Sequence, residues 1–202
     1  FLNNDYYEIK PEMKKIGSTF SSYLYKFIYN LDLFEIDNEK YITIKKLNEL
    51  GISKENIKEF INEIEKVISD NEYFNLYTLD KDNFLTNLKQ YNFPDCFYET
   101  IISAIPNVKT FTVKNNVVFI KTDEQATREK FINSFVTKNK IFVSEIKKDI
   151  LTKYNIDLYE YYIKEFIDKK KFYFDNSIDC VYKSKDYYDE DINDLDILSL
   201  ID

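Results

Sequence analysis

Two spacings of apolar residues alternate along this chain. At helical spacing stand Phe20, Tyr23, Phe27 and Phe34, and later Ile57, Phe60, Ile61, Ile64 and Ile68. Each set places one apolar stripe on one side of a 3.6-residue helix. Segments 21–34, 127–139 and the stretches around "IKK" and "IKEFI" are therefore predicted to be amphipathic helices. Alternating patterns come after them. "VKTFTV" and "VVFIKT" flank "KNN", whose asparagines tolerate the positive φ of a tight turn, and "FYF" and "CVY" flank the polar "DNSID". Both read as hairpins. "NEYFNLYTLDKDNF" (71–84) also leaves the helical period. In 84–123 a short helix precedes one that starts at Pro94, in its first turn, and stops before Pro106.

"IKEFI" occurs at Ile57–Ile61 and again at Ile163–Ile167. Five shared letters decide little, so the flanks carry the argument. Each copy is preceded by a helix containing "IKK", a turn at Gly51 or Asn155, an isoleucine, and a capping Ser53 or Asp157. Gly and Asn readily take the left-handed conformation that ends a helix. Ser and Asp favour the N-cap of the next. Helix, helix, turn, helix and hairpin is the expected order of each unit.

That order resembles the winged helix-turn-helix superfamily over roughly residues 20–190. The resemblance implies an α+β, mostly helical fold of tandem winged-helix-like modules with short β-hairpins. The boundaries it implies are an N-terminal extension at 1–17, a first unit at 18–83, a reduced second unit at 84–124, a third unit at 125–188 and an acidic segment at 189–202. Such folds serve DNA binding, RNA binding or protein interaction, so function has to be argued from the surface.

The charge is uneven. Formal net charge is -8 over 202 residues, yet residues 125–174 hold 11 Lys or Arg against 7 acids, and residues 175–202 hold 2 against 9. Phosphate neutralisation dominates nucleic-acid affinity. The first unit is a poor reader, because Asn56, Glu59, Glu63 and Glu65 occupy its outward face. In the third unit the same register buries Tyr159, Ile163, Phe166 and Ile167. It turns Tyr161, Lys164, Lys169 and Lys171 outward, with Lys170 beside them, Lys147 and Lys148 on the preceding helix, and Lys138 and Lys140 in the loop before it. These nine residues form the candidate surface for duplex DNA. The alternative is a protein partner, met through residues 18–83 or 189–202. In the acidic tail Leu195, Leu198 and Ile201 share a helical face, which packs on its own module or shields the basic patch. Tyr161, Tyr187 and Tyr188 stack on bases or cover the wing.

The composition narrows the chemistry. The chain has no His, 2 Gly and 2 Cys. The usual general base, a Gly-rich phosphate loop and the common zinc spacings are missing, so no catalytic residue, metal site or cofactor is expected. Cys96 and Cys180 are expected to be free thiols, Cys96 at a helix start where the dipole can lower a thiol pKa. Abundant Ile, Lys, Asn, Tyr and Phe suit a low-GC genome. No apolar run reaches the roughly 18 residues of a membrane helix. A cytoplasmic segment of a longer protein beginning before Phe1 is the expectation.

Overall fold

In a computed structural model, residues 6–8, 18–81 and 86–199 are described, with side chains for all but 6–8, 18, 86–87 and 194–199. The fold is α+β with small antiparallel sheets. In chain order it runs β1 (Tyr6–Glu8), α1 (Ser18–Tyr29), β2 (Leu33–Asp37), β3 (Lys40–Thr43), α2 (Ile44–Glu49), α3 (Lys54–Val67), β4 (Tyr73–Phe74), α4 (Leu76–Lys81), α5 (Thr86–Lys89) and α6 (Asp95–Ser103). It continues through β5 (Val108–Val113), β6 (Asn116–Lys121), α7 (Arg128–Asn133), β7 (Lys140–Phe142), α8 (Val143–Tyr154), α9 (Glu160–Phe166), β8 (Tyr173–Asp175), β9 (Cys180–Tyr182) and α10 (Lys185–Ser199). Two compact units emerge, one from the described residues of 1–110 and 117–125, the other from 111–116 and 126–199.

One strand plan is used three times. The sheets run β1-β3-β2, β4-β6-β5 and β7-β9-β8. In each, a lead strand pairs with the second strand of the next hairpin.

Both copies of "IKEFI" sit in a strand–helix–turn–helix–strand segment, β3-α2-α3-β4 and β7-α8-α9-β8. The turns form as expected, Gly51 at φ 84 and Asn155 at φ 55. Ser53 caps α3 in a capping box, its Oγ accepting from the Asn56 N–H at 3.2 Å while Asn56 Oδ1 accepts from the Ser53 N–H at 2.9 Å. Asp157 does not cap α9. The N-cap is Tyr159, and Asp157 faces Lys147 at 3.5 Å. The copies also part ways after the second helix. β8 belongs to the sheet its segment began in, whereas β4 leads the next sheet and runs into helix α4, so residues 71–84 hold no hairpin among those described.

The expected helix over 21–34 ends at Tyr29. Leu31 takes φ 57, and Phe34 enters strand β2 with its ring fully buried. Tyr23, placed on the apolar stripe by spacing, is exposed, while Phe20 and Phe27 are half-buried. In the β5-β6 turn it is Lys114, not an asparagine, that takes positive φ. One apolar cluster of the first unit runs from Leu31 through Phe60 and Phe97 to Phe119. It joins residues that the sequence pattern assigns to a first and a second module.

A Cβ at Gly51 meets nothing within 4 Å, so a side chain there is opposed by backbone conformation alone. Gly51→Ala is expected to cost about 1 kcal/mol. Asn155→Gly, relieving the same conformation, is expected to be neutral or slightly stabilising. Urea midpoints of the two variants measure both.

Candidate functional site

The second unit holds the candidate nucleic-acid surface. Its helix α9 is seated by Ile156, Leu158 and Ile163, all buried. Asn133 of α7 clamps the far end, donating from Nδ2 to the Phe166 carbonyl at 3.0 Å and accepting at Oδ1 from the Asp168 N–H at 3.1 Å. A helix terminus leaves carbonyls without partners, and this side chain satisfies one. The orientation of α9 is therefore set from both ends.

Four of the nine expected contact residues are held by carboxylates. Lys138 Nζ meets Glu145 at 2.9 Å, Lys140 Nζ meets Asp191 at 2.6 Å, Lys147 Nζ meets Asp157 at 3.5 Å, and Lys164 Nζ meets Asp179 at 2.6 Å. The hydrogen bond from Lys138 holds the Glu145 carboxyl below its ordinary range, helped by the Phe142 N–H, and Glu145 raises the lysine in return. Asp191 is held low by Lys140 first and by the Tyr182 hydroxyl, which donates to it at 2.9 Å. Such pairs on a solvated surface contribute little to stability, yet each cancels a charge that phosphate would otherwise meet.

Lys148, Lys169, Lys170 and Lys171 are exposed. Lys169 and Lys171 lie over the rings of Phe174 and Phe172, at 6.0 and 5.1 Å from the centroids. Tyr161 is 67% exposed, as expected, and Tyr159 is 58% exposed, which spacing did not anticipate. The reason is local. Tyr159 precedes the helix with extended backbone (φ -76, ψ 144), so it falls out of helical register and Leu158 takes the inward place. The two tyrosine rings stack at 5.5 Å with 13° between planes, and Lys114 Nζ sits 5.0 Å from the Tyr159 centroid. Phe166, expected inside, is exposed in part rather than fully covered.

The acidic tail starts as helix α10, held to its own unit by Asp191 and by Tyr188, which packs 4.5 Å from Tyr173 and 5.4 Å from Tyr182. Tyr188 thus covers the hairpin, and Tyr187 stays exposed. The expected apolar face of Leu195, Leu198 and Ile201 lies outside the described side chains.

In the first unit, Asn56, Glu59 and Glu65 face outward from α3, whereas Glu63 is half-buried. Both cysteines are free thiols. Cys96 does not carry the lowered pKa its place at a helix start suggested. Burial, then Glu35 and Glu99, pushes its thiol up to about 11. Those two carboxylates are residues that spacing did not single out. Glu99 stands one turn after Asp95, an acidic pair legible on α6, but Glu35 reaches it only because β2 packs on that helix, joined by the Glu35 N–H donating to Thr100 Oγ1 at 3.3 Å.

Among the described residues, no helix is long and apolar enough to cross a membrane. No protein-family model, curated protein or solved structure matches this chain.

Proposed function

We propose that the chain is a series of winged-helix-like units whose second compact unit binds a protein partner through the exposed face of α9. The thrice-used plan of lead strand plus hairpin, and the order α7-β7-α8-α9-β8-β9, support the winged-helix reading. The observation that carries the choice of partner is the outward face of α9. It offers a stacked Tyr159–Tyr161 pair, Glu160 and Glu165, and a single lysine already neutralised by Asp179. Tyrosines on a sparsely charged patch are what protein interfaces enrich. A helix that reads a DNA groove needs cations where this one has carboxylates. Residues 111–116 and 126–202, the full sequence of the second unit, hold 14 Lys or Arg against 16 Asp or Glu, a net of -2.

A second reading, contact with duplex DNA, is favoured by the exposed Lys148, Lys169, Lys170 and Lys171. Titration of the chain against a labelled duplex at low and moderate salt separates the two. The protein-binding reading expects affinity no tighter than about 10⁻⁴ M at moderate salt and no change when the four lysines become Glu. Binding that is strong at low salt, weakens as salt rises and vanishes in the Lys→Glu variant would overturn it in favour of DNA.

A further inference from the structure

The first unit contains a cleft of about 610 Å³ between α1, strands β2 and β3, and α6. That volume is in the range of small-molecule sites. Tyr25 and Tyr29 of α1, residues 69% and 60% exposed, form one wall. Opposite them stand Glu35 of β2, Tyr41 of β3, and Cys96 and Glu99 of α6. Thr100 pins that side together, accepting from the Glu35 N–H and donating to the Cys96 carbonyl at 2.7 Å.

Two features of the lining call for a donor. Tyr41 is only 6% exposed, and among the described residues its hydroxyl has no hydrogen-bond partner. The hydroxyl opens on the cleft, so a ligand that reaches it gains a hydrogen bond there. Glu35 and Glu99 line the same cleft, half-buried, and among the described residues neither makes a salt bridge. Glu35 Oε1 accepts one backbone N–H, that of Glu39, at 3.1 Å. Lys26 also lines the cleft without pairing with either carboxylate.

We propose that this cleft binds an alkylammonium group, its N–H donors shared between Glu35, Glu99 and the Tyr41 hydroxyl and its alkyl chain lying along the Tyr25 and Tyr29 rings. An ammonium has three donors and no acceptor, which matches two carboxylates and a hydroxyl. Its positive charge is attracted to tyrosine faces as well. A metal ion fits less well, because among the described residues no group of three or more His, Cys, Asp or Glu is placed to hold one.

Among the described residues, the titratable and charged groups around the cleft are Lys26, Tyr25 and Tyr29 from α1, Glu35 and Glu39 beside β2, Tyr41 from β3, and Asp95, Cys96 and Glu99 from α6. Burial, followed by Asp95 and then Glu35, pushes Glu99 up to about 7. Cys96, at about 11, is a neutral thiol at that pH, and Tyr41 is held further up by burial and by Glu35. Glu99 is thus a group of the cleft that titrates near neutrality. Ionised, it attracts the ammonium, so affinity rises as pH rises through 7 and falls below it.

The test uses the full chain, with n-pentylammonium as probe, 1-pentanol as the neutral analogue, and ¹H–¹⁵N spectra as readout. Saturable shifts at α1 and α6 are expected with pentylammonium, and none with 1-pentanol. Affinity is expected to drop about tenfold from pH 8 to pH 6, and Glu99→Gln to lose about tenfold at pH 8 and flatten the pH profile. Tyr41→Phe keeps the ring and the fold and is expected to weaken binding a few-fold, guarding against a Glu99 variant that misfolds. A blocked lysine and a short lysine-containing peptide then separate a small amine from a protein side chain as the source, and tight binding of either supports the site. Equal affinity for pentylammonium and pentanol, a flat pH profile in the unaltered chain, or no saturable shift with the amine would overturn it.

Discussion

Replacing Phe97 by Ala is expected to lower the stability of the first compact unit by about 3–5 kcal/mol. The ring is fully buried at the point where α6 meets β2. It stacks on Phe93 at 4.1 Å, tilts against Phe34 at 5.5 Å, and meets the edge of Tyr98 at 5.4 Å. Truncation removes the burial of one large ring and leaves three others facing a cavity that secondary structure on both sides keeps from collapsing. Phe97→Leu, filling most of the space, is expected to recover more than half of the loss. With no Trp in the chain, urea titration followed by tyrosine fluorescence and far-ultraviolet dichroism is the measurement. A loss under about 1 kcal/mol would mean that α6 does not anchor this core.

Phe131→Ala is expected to do the same to the second unit, again by about 3–5 kcal/mol. Phe131 on α7 is fully buried, edge-on to Phe135 at 5.3 Å and to Tyr154 of α8 at 5.2 Å, with Phe111 at 6.0 Å. Aromatic pairs in such geometry add to simple area burial. Hydrogen exchange localises each effect. Phe131→Ala should strip protection from α8 and β9, and Phe97→Ala from α3 and β6. If each variant deprotects both units equally, the chain unfolds as one cooperative body and the two cores are not separate stability units.

Local chemistry was legible where a rule acts over a few residues. Gly51, Asn155 and Ser53 took the capping roles their types favour, and the hairpins at 108–121 and 173–182 formed where two short apolar runs flank a polar turn. The buried face of α3 came out at Ile57, Phe60 and Ile64 because helical period and burial coincide there. Spacing failed at Phe34 and Tyr159. In both places a residue was extrapolated along a helix that had already ended or had not yet begun, and apolar periodicity does not mark that boundary.

The sequence by itself determined the hairpins at 108–121 and 173–182, the helix–turn–helix segments around each "IKEFI", and the distribution of charge along the chain, but not the hairpin at 33–43 that stands between the first two helices. These depend on φ/ψ preference and on neighbours three or four residues away. Tertiary structure alone decided which sheet β4 joins, that Lys138, Lys140, Lys147 and Lys164 each meet a carboxylate, and that Glu35 and Glu99 share a cleft. Strand pairing and long-range charge pairing join residues such as Lys140 and Asp191, 51 positions apart. Coulomb energy and backbone hydrogen bonds depend on distance in space, and only the packing of the core sets that distance.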